Sequence, residues 1–232
     1  MHPTDKAARV AGAIYLSLAA TGPFTLLYLP DKIIVRGNAT ATAGNILAHE
    51  MLFRVGIVAE LVGAVIFVCL GVALYRLLSG INKTQVSLML SFVLVSSTVG
   101  FVNTLNNIAA LMLARGDDFL AIFEKPQRDG LAMLFVRLHG QGNGINEMFW
   151  GLWLLPLAWL VYKSRFLPRF LGVWLALGGV AYLILCVTNI LAPQYQGRLF
   201  SLFQPAFFGE LAFMLWLLVK GAKVRPLAAV AA

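Results

Sequence analysis

The chain has 232 residues, of which 60% are hydrophobic and only 12% are charged. A soluble domain is usually about 45–50% apolar and about 25% charged, so this composition excludes an ordinary soluble protein. The formal net charge of +8 would suggest nucleic acid binding in a soluble protein, but most cations here lie at the ends of apolar segments, where a membrane protein needs them. We therefore exclude nucleic acid as a partner and take the lipid bilayer as the environment of the chain.

Six apolar segments are each near the ~20 residues that a helix needs to cross a bilayer. They predict transmembrane helices at residues 8–29, 48–78, 85–114, 139–162, 168–191 and 202–220. The predicted fold is all-α, a polytopic integral membrane helix bundle that forms one domain over residues 1–232.

The distribution of lysine and arginine predicts the orientation of these helices, because both residues are enriched in cytoplasmic loops. One side of the membrane holds Lys6, Arg9, Arg76, Lys83, Lys163, Arg165, Arg169, Lys220, Lys223 and Arg225. The other side holds Lys32, Arg36, Arg115, Lys125, Arg128 and Arg198. We therefore expect a cell membrane protein with both termini in the cytoplasm.

The outer connections are longer than the inner ones. Residues 30–47 form a loop of mixed polarity, and residues 115–138 contain DDFLAIFE, Pro126 and the amphipathic sequence PQRDGLAMLFVRL. We expect residues 115–138 to lie at the outer interface as one or two short helices rather than to span the membrane. The short inner loops SGINKT and KSRFLPR predict antiparallel hairpins.

Three glutamates lie inside the predicted spans: Glu60, Glu147 and Glu210. A carboxylate in hydrocarbon costs roughly 2.5 kcal/mol or more, so such a group usually faces a protein interior or water and has a function. At ~1.5 Å of rise per residue, all three lie roughly 12–17 Å below the outer surface. This common depth predicts a polar pocket in the outer half of the bundle, built from the second, third, fourth and sixth spans.

Helical periodicity places further polar residues near two of these glutamates. His49 shares a stripe with Glu60, and His139 lies about two turns before Glu147. No polar residue shares the face of Glu210. The complete set of candidate pocket residues is Glu60, Glu147, Glu210, His139, His49, Asn103, Asn107, Asn143, Asn146, Arg54 and Arg137.

Several of these candidates have a second interpretation. Asn103, Asn106 and Asn107 are also typical of hydrogen bonds that hold membrane helices together. Arg54 can pair with Glu50 one turn away, and Arg137 lies at the interface beside His139. Either arginine can instead neutralise a glutamate on a neighbouring helix.

The segment HGQGNGINE, residues 139–147, is unusual for a membrane helix, because its three glycines weaken helical structure. One interpretation is a broken helix start that lines the pocket, as in transporters with discontinuous helices. The other is a loop that continues the outer connection.

Three classes of function remain open. The first is binding or passage of a small polar or ionic ligand, in a chain that we expect to act as a homo-oligomer. The second is an intramembrane enzyme, with or without a metal ion, in which His49, His139, Glu60 and Glu147 are weak candidate ligands. No H-E-x-x-H motif is present, so an enzyme is the less favoured class, and catalytic residues and cofactors stay unknown. The third is a non-catalytic structural or stress-related membrane protein.

Two stretches resemble a known family. They are NILAHEMLFRVGIVAELVG, residues 45–63, and LWLLPLAWLVYKSRFLPRFLGVWLALGGVAYL, residues 152–183. Both are similar to the bacterial membrane protein family named domain of unknown function DUF4386, and the resemblance extends over most of the chain. It implies a multi-helix membrane protein and assigns no activity or catalytic residue.

Overall fold

The computed structural model describes residues 3–222, and within this range the chain forms helices and short connections without a β-strand. The α-helices are α1 (Pro3–Pro23), α2 (Leu29–Ile33), α3 (Ala39–Ala48), α4 (Glu50–Leu78), α5 (Lys83–Arg115), α6 (Lys125–Lys163), α7 (Arg169–Leu191) and α8 (Gln196–Leu215). A π-helical turn, Phe24–Tyr28, joins α1 to α2, and a second one, Trp216–Lys220, extends α8.

Six helical stretches in residues 3–222 are long and apolar enough to cross a membrane. They are Asp5–Ile33, Glu50–Leu78, Lys83–Arg115, Lys125–Lys163, Arg169–Leu191 and Pro193–Lys220. Large apolar side chains within them are solvent-exposed, for example Val58 at 57% and Val102 at 61%, as expected for a lipid-facing surface. The protein is thus an all-α, multi-pass membrane protein, which confirms the predicted fold class.

The predicted orientation, with both termini cytoplasmic, stays a prediction. Lys223 and Arg225, which contribute to the charge bias, lie outside the described residues.

The connection predicted at residues 30–47 is not a simple loop, because it contains nearly all of α3. The side chain of Asn38 caps this helix by accepting a hydrogen bond from the backbone N–H of Ala41 at 2.9 Å. Asn82 caps the start of α5 in the same way, with Gln85 as the donor at 2.9 Å. Asn38 and Asn82, whose residue type is typical of loops, therefore cap the first turns of helices.

The start of α6 differs from the prediction by fourteen residues, because the helix begins at Lys125 rather than at His139. Glu124 caps it: its carbonyl accepts from the N–H groups of Gln127 and Arg128 at 3.0 Å. The side chain of Gln127 accepts in return from the Glu124 N–H at 2.9 Å. Pro126 lies in the first turn, where its missing N–H costs nothing.

Residues 125–138 are consequently the first part of a 39-residue helix rather than a separate interfacial helix, and only the short 3-10 helix Asp118–Leu120 precedes them. The glycine-rich segment at residues 139–147 is continuous helix as well. Both interpretations of this segment, a broken helix start and a loop, are therefore wrong. Membrane helices tolerate glycine where neighbouring residues pack against them.

The chain divides into two compact units. The first contains Met1–Ser17, Phe67–Val95 and Glu147–Ala232, and the second contains Leu18–Ile66 and Ser96–Asn146. Helices α1, α4, α5 and α6 each contribute residues to both units. The single domain over residues 1–232 stays a prediction.

Glycines allow close packing between the helices of the first unit. A Cβ atom at Gly151 in α6 would lie 2.7 Å from the carbonyl oxygen of Gly179 in α7. A Cβ atom at Gly172 would lie 2.7 Å from the carbonyl oxygen of Ala158. Real side chains do not tolerate such distances, so α6 and α7 approach each other through their backbones.

The second unit has an apolar core formed by α2, α3, α4, α5 and α6. Its buried members are Leu29, Ile33, Ile46, Phe53, Ile57, Ala110, Leu111 and Val136. This core positions the inward-facing sides of α4, α5 and α6, on which the polar residues lie.

Candidate functional site

A carboxylate, an imidazole and an amide meet in the second unit. Glu60 on α4 has one carboxylate oxygen 3.1 Å from Nε2 of His139 on α6. Asn107 on α5 donates through Nδ2 to both carboxylate oxygens at 3.4 Å. The side chains of Glu60 and His139 are only 15% and 13% exposed. These three residues form the centre of what we call the Glu60 network.

Asn103 on α5 extends this network. Its Nδ2 group donates to the backbone carbonyl of His139 at 2.9 Å and to Oδ1 of Asn143 at 3.0 Å. Its Oδ1 atom accepts from Nδ2 of Asn106 at 3.0 Å. Asn103 is buried, and its two N–H bonds attach α5 to the glycine-rich part of α6.

The position of the Asn103 side chain explains why residue 142 of α6 is a glycine. A Cβ atom at position 142 would overlap the side-chain amide of Asn103. The missing side chain therefore creates the space in which Asn103 reaches α6 and holds the turn that contains His139.

Asn146 forms two hydrogen bonds with a single residue, Ser96 of α5. It accepts from the hydroxyl of Ser96 at 2.9 Å and donates to the backbone carbonyl of Ser96 at 3.2 Å. Both residues are buried. Asn146 uses both its donor group and its acceptor atom in hydrogen bonds to one residue of α5. This pair is therefore suited to holding helices together.

The hydrogen bonds that reach the Glu60 carboxylate are few and partly long. An ionised carboxylate can accept about four hydrogen bonds, and the two bonds from Asn107 are long for N–H···O geometry. Among residues 3–222, His139 is the only cationic-type side chain within ion-pair distance of Glu60. The carboxylate thus keeps acceptor capacity that the surrounding residues do not use.

The other two glutamates belong to the first unit. Glu210 on α8 accepts a hydrogen bond from the hydroxyl of Tyr15 on α1 at 2.5 Å and a second one from Tyr182 on α7. Glu147 on α6 is hydrogen-bonded to Gln196 at the start of α8. The predicted pocket does not include Tyr15, Tyr182 or Gln196, because these partners lie on helices other than those of their glutamates.

The histidines and arginines are arranged differently from their predicted grouping. His139 contacts Glu60 rather than Glu147, which lies two turns away on the same helix. His49 ends α3, and its side chain is exposed. Arg54 pairs with Glu50 at 2.8 Å, the local alternative. Arg137 is exposed.

The structure thus brings together Glu60, His139, Asn103, Asn106, Asn107 and Asn143 in the second unit. A pocket that also includes Glu147 and Glu210 stays a prediction. Among residues 3–222, no group of three or more His, Cys, Asp or Glu side chains is arranged to hold a metal ion. His49, His139, Glu60 and Glu147 therefore do not form a four-ligand centre.

Comparison with known proteins assigns no activity. An uncharacterised protein of Archaeoglobus fulgidus is 32% identical to this chain over 80 residues, which is 34% of this chain and 46% of that protein. The similarity therefore spans less than half of the length of that relative. No solved structure matches the chain. The family described as domain of unknown function DUF4386 matches residues 10–221, nearly the whole chain. The chain belongs to this family.

Proposed function

We propose that this membrane protein binds a small polar or ionic ligand at the Glu60 network, and that a monovalent inorganic cation such as Na⁺ or K⁺ fits the site best. The observation that carries this proposal is the unused acceptor capacity of the Glu60 carboxylate. A partly buried anion with few donors gains most from a cation that can bind to its oxygens.

The neighbouring amides support a cation of this type. Nδ2 of Asn107 donates to Glu60 and Nδ2 of Asn106 donates to Asn103. Each of these amides also carries an Oδ1 atom, which is an acceptor that a cation can bind. Carboxylate and amide oxygens are hard ligands, which suit alkali and alkaline-earth ions better than soft metals.

The predicted topology indicates the side of the membrane from which a ligand would enter this site. Because lysine and arginine are enriched on the side of both termini, we place the Glu60 network in the outer half of a cell membrane protein. A ligand would then enter from the extracytoplasmic side. Passage across the whole membrane would most simply involve a homo-oligomer, since residues 3–222 of one chain contribute six spans.

Thermal unfolding of the purified, detergent-solubilised protein tests this proposal. NaCl and KCl are compared with choline chloride at the same ionic strength. A cation that binds only the folded state raises the unfolding temperature, and the increase grows with its concentration. We expect this increase in the wild type and in Glu124→Gln, whose exposed carboxylate lies outside the spans, but not in Glu60→Gln.

An equal response of the wild type and Glu60→Gln to NaCl and KCl would show that Glu60 does not bind the cation. The same conclusion follows if choline chloride stabilises the wild type as much as NaCl and KCl do. In either case, Glu60 would be a structural residue that joins α4 to α5 and α6.

A further inference from the structure

A second cluster, in the first unit, combines a carboxylate with aromatic rings. It contains Glu147, Tyr182 and Gln196, together with the rings of Trp150 and Phe207, and we call it the aromatic carboxylate site. Each of these residues is partly exposed rather than fully buried. It shares no residue with the Glu60 network.

Glu147 is the incompletely satisfied member of the cluster. Gln196 is its hydrogen-bond partner. The second carboxylate oxygen, Oε2, is buried and accepts no hydrogen bond from any described residue, and the same is true of Oε1 of Gln196. Within residues 3–222, no lysine, arginine or histidine pairs with Glu147. Two acceptors therefore lie in one place without a donor.

Glu210 differs from Glu147 in this respect. The hydroxyl groups of Tyr15 and Tyr182 both donate to it. The Tyr15 ring is held in turn by Trp153 and Phe213, with ring centroids 6.2 Å and 6.4 Å away. Glu210 therefore orients Tyr182 and leaves the Glu147 side of the cluster for a ligand.

The rings around Tyr182 provide the apolar part of the site. The Tyr182 centroid is 4.6 Å from that of Phe207 and 5.8 Å from that of Trp150. The Glu147 carboxylate lies within electrostatic range of Tyr182. Aromatic faces attract cations through their electron-rich surfaces, and tryptophan does so most strongly.

We propose that the aromatic carboxylate site binds a protonated primary or secondary amine that carries an apolar group. The ammonium N–H groups donate to Oε2 of Glu147 and to Oε1 of Gln196, the carboxylate balances the charge, and the apolar group lies against the rings. A bare alkali ion has no apolar group to pack against the rings. A quaternary ammonium ion has no N–H group to satisfy the two oxygens.

Calorimetric titration of the full-length protein in detergent tests this inference with benzylammonium chloride as the probe. Benzyltrimethylammonium chloride is the control ligand, because it keeps the charge and the ring but has no N–H group. We expect saturable binding of benzylammonium, at least about tenfold weaker binding of the trimethyl analogue, and at least about tenfold weaker binding of benzylammonium to Glu147→Gln.

Glu124→Gln is the matched control, since its exposed carboxylate lies outside the spans and outside both clusters, and it should bind benzylammonium like the wild type. The aromatic carboxylate site contains no residue of the Glu60 network, so the inference does not depend on the proposed cation binding at Glu60, and each can fail alone. If Glu147→Gln does not fold, Phe207→Leu should still weaken benzylammonium binding several-fold by removing a ring.

Equal affinity of the two ammonium compounds would overturn the inference, and so would unchanged affinity in Glu147→Gln or, where that variant does not fold, in Phe207→Leu. A wild type that binds no benzylammonium would also overturn it.

Discussion

Nε2 of His139 lies 3.1 Å from the carboxylate of Glu60, although the two residues are 79 positions apart in the sequence. The contact joins α6 to α4 within apolar spans. It also holds the only histidine that pairs with a glutamate among residues 3–222.

A double-mutant cycle with Glu60→Gln and His139→Gln should show coupling between these two side chains. We expect a coupling free energy of about 0.5–2 kcal/mol, the range measured for hydrogen bonds between membrane helices. The measurement is reversible unfolding of the four proteins in mixed micelles. Strictly additive effects on the free energy of unfolding would mean that the two side chains act independently.

Gly142→Ala should destabilise the protein, because the added methyl group would overlap the amide of Asn103 and displace it from α6. We expect a loss of about 1–3 kcal/mol, as for other overpacked positions. Gly140→Ala on the same helix is the control, since a Cβ atom there meets nothing within 4 Å. It should be neutral or more stable by up to about 1 kcal/mol. Equal stability of the two variants would contradict the role assigned to Gly142.

Gly151→Ala should separate α6 from α7, because its methyl group would lie 2.7 Å from the carbonyl oxygen of Gly179 and a backbone atom cannot move aside as a side chain can. The unfolding free energy should fall by about 1–3 kcal/mol. Gly100→Ala on α5, where a Cβ atom meets nothing within 4 Å, should not lower it. A wild-type value for Gly151→Ala would show that the two helices can move apart without cost.

Tyr15→Phe should destabilise the first unit by removing a donor from Glu210, at a cost of about 1–3 kcal/mol. The loss should be smaller when Glu210→Gln is already present, since a neutral amide depends less on that donor. Tyr75→Phe removes a hydroxyl that has no partner among the described residues and should leave stability unchanged. If Tyr15→Phe costs the same in both backgrounds, the hydroxyl does not act through Glu210.

Cysteine labelling in intact cells can test the orientation. In a chain with Cys69 and Cys186 replaced by alanine, single cysteines are placed at Gly80 and at Ile122, both exposed in the connections between spans. A membrane-impermeant maleimide should label position 122 in intact cells and position 80 only after lysis. The reverse pattern would show that both termini lie outside the cytoplasm.

The number of spans was predictable because about 20 consecutive apolar residues are needed to cross a bilayer. The start of α6 was not, since Pro126 and the polar residues around it suggest an interfacial segment until the cap between Glu124 and Gln127 is seen. The glycines at positions 140, 142 and 144 misled for a related reason. Helix propensity describes how much a glycine destabilises an isolated helix. In this protein Asn103 packs against the helix at Gly142, and this packing offsets the destabilisation.

The polar contacts were predictable only in part. Periodicity indicates which residues share a face of one helix, and it placed His49 and Glu60 on one stripe. It contains no information on which neighbouring helix lies opposite, so His139 was grouped with Glu147, roughly 12 Å away along the helix axis, rather than with Glu60. Glu210 lacked any partner for the same reason, because Tyr15 and Tyr182 come from α1 and α7.

The fourth span, Lys125–Lys163, is the least apolar of the six spans and also the most enclosed by protein. A helix with such low hydropathy gains little free energy from insertion into lipid alone. Its residues Asn143 and Asn146 find their hydrogen-bond partners on α5. That partner helix precedes α6 in the chain and is synthesised first. Membrane insertion of α6 during biosynthesis should therefore depend on the earlier helices remaining nearby, so that the order of synthesis becomes part of how the bundle assembles.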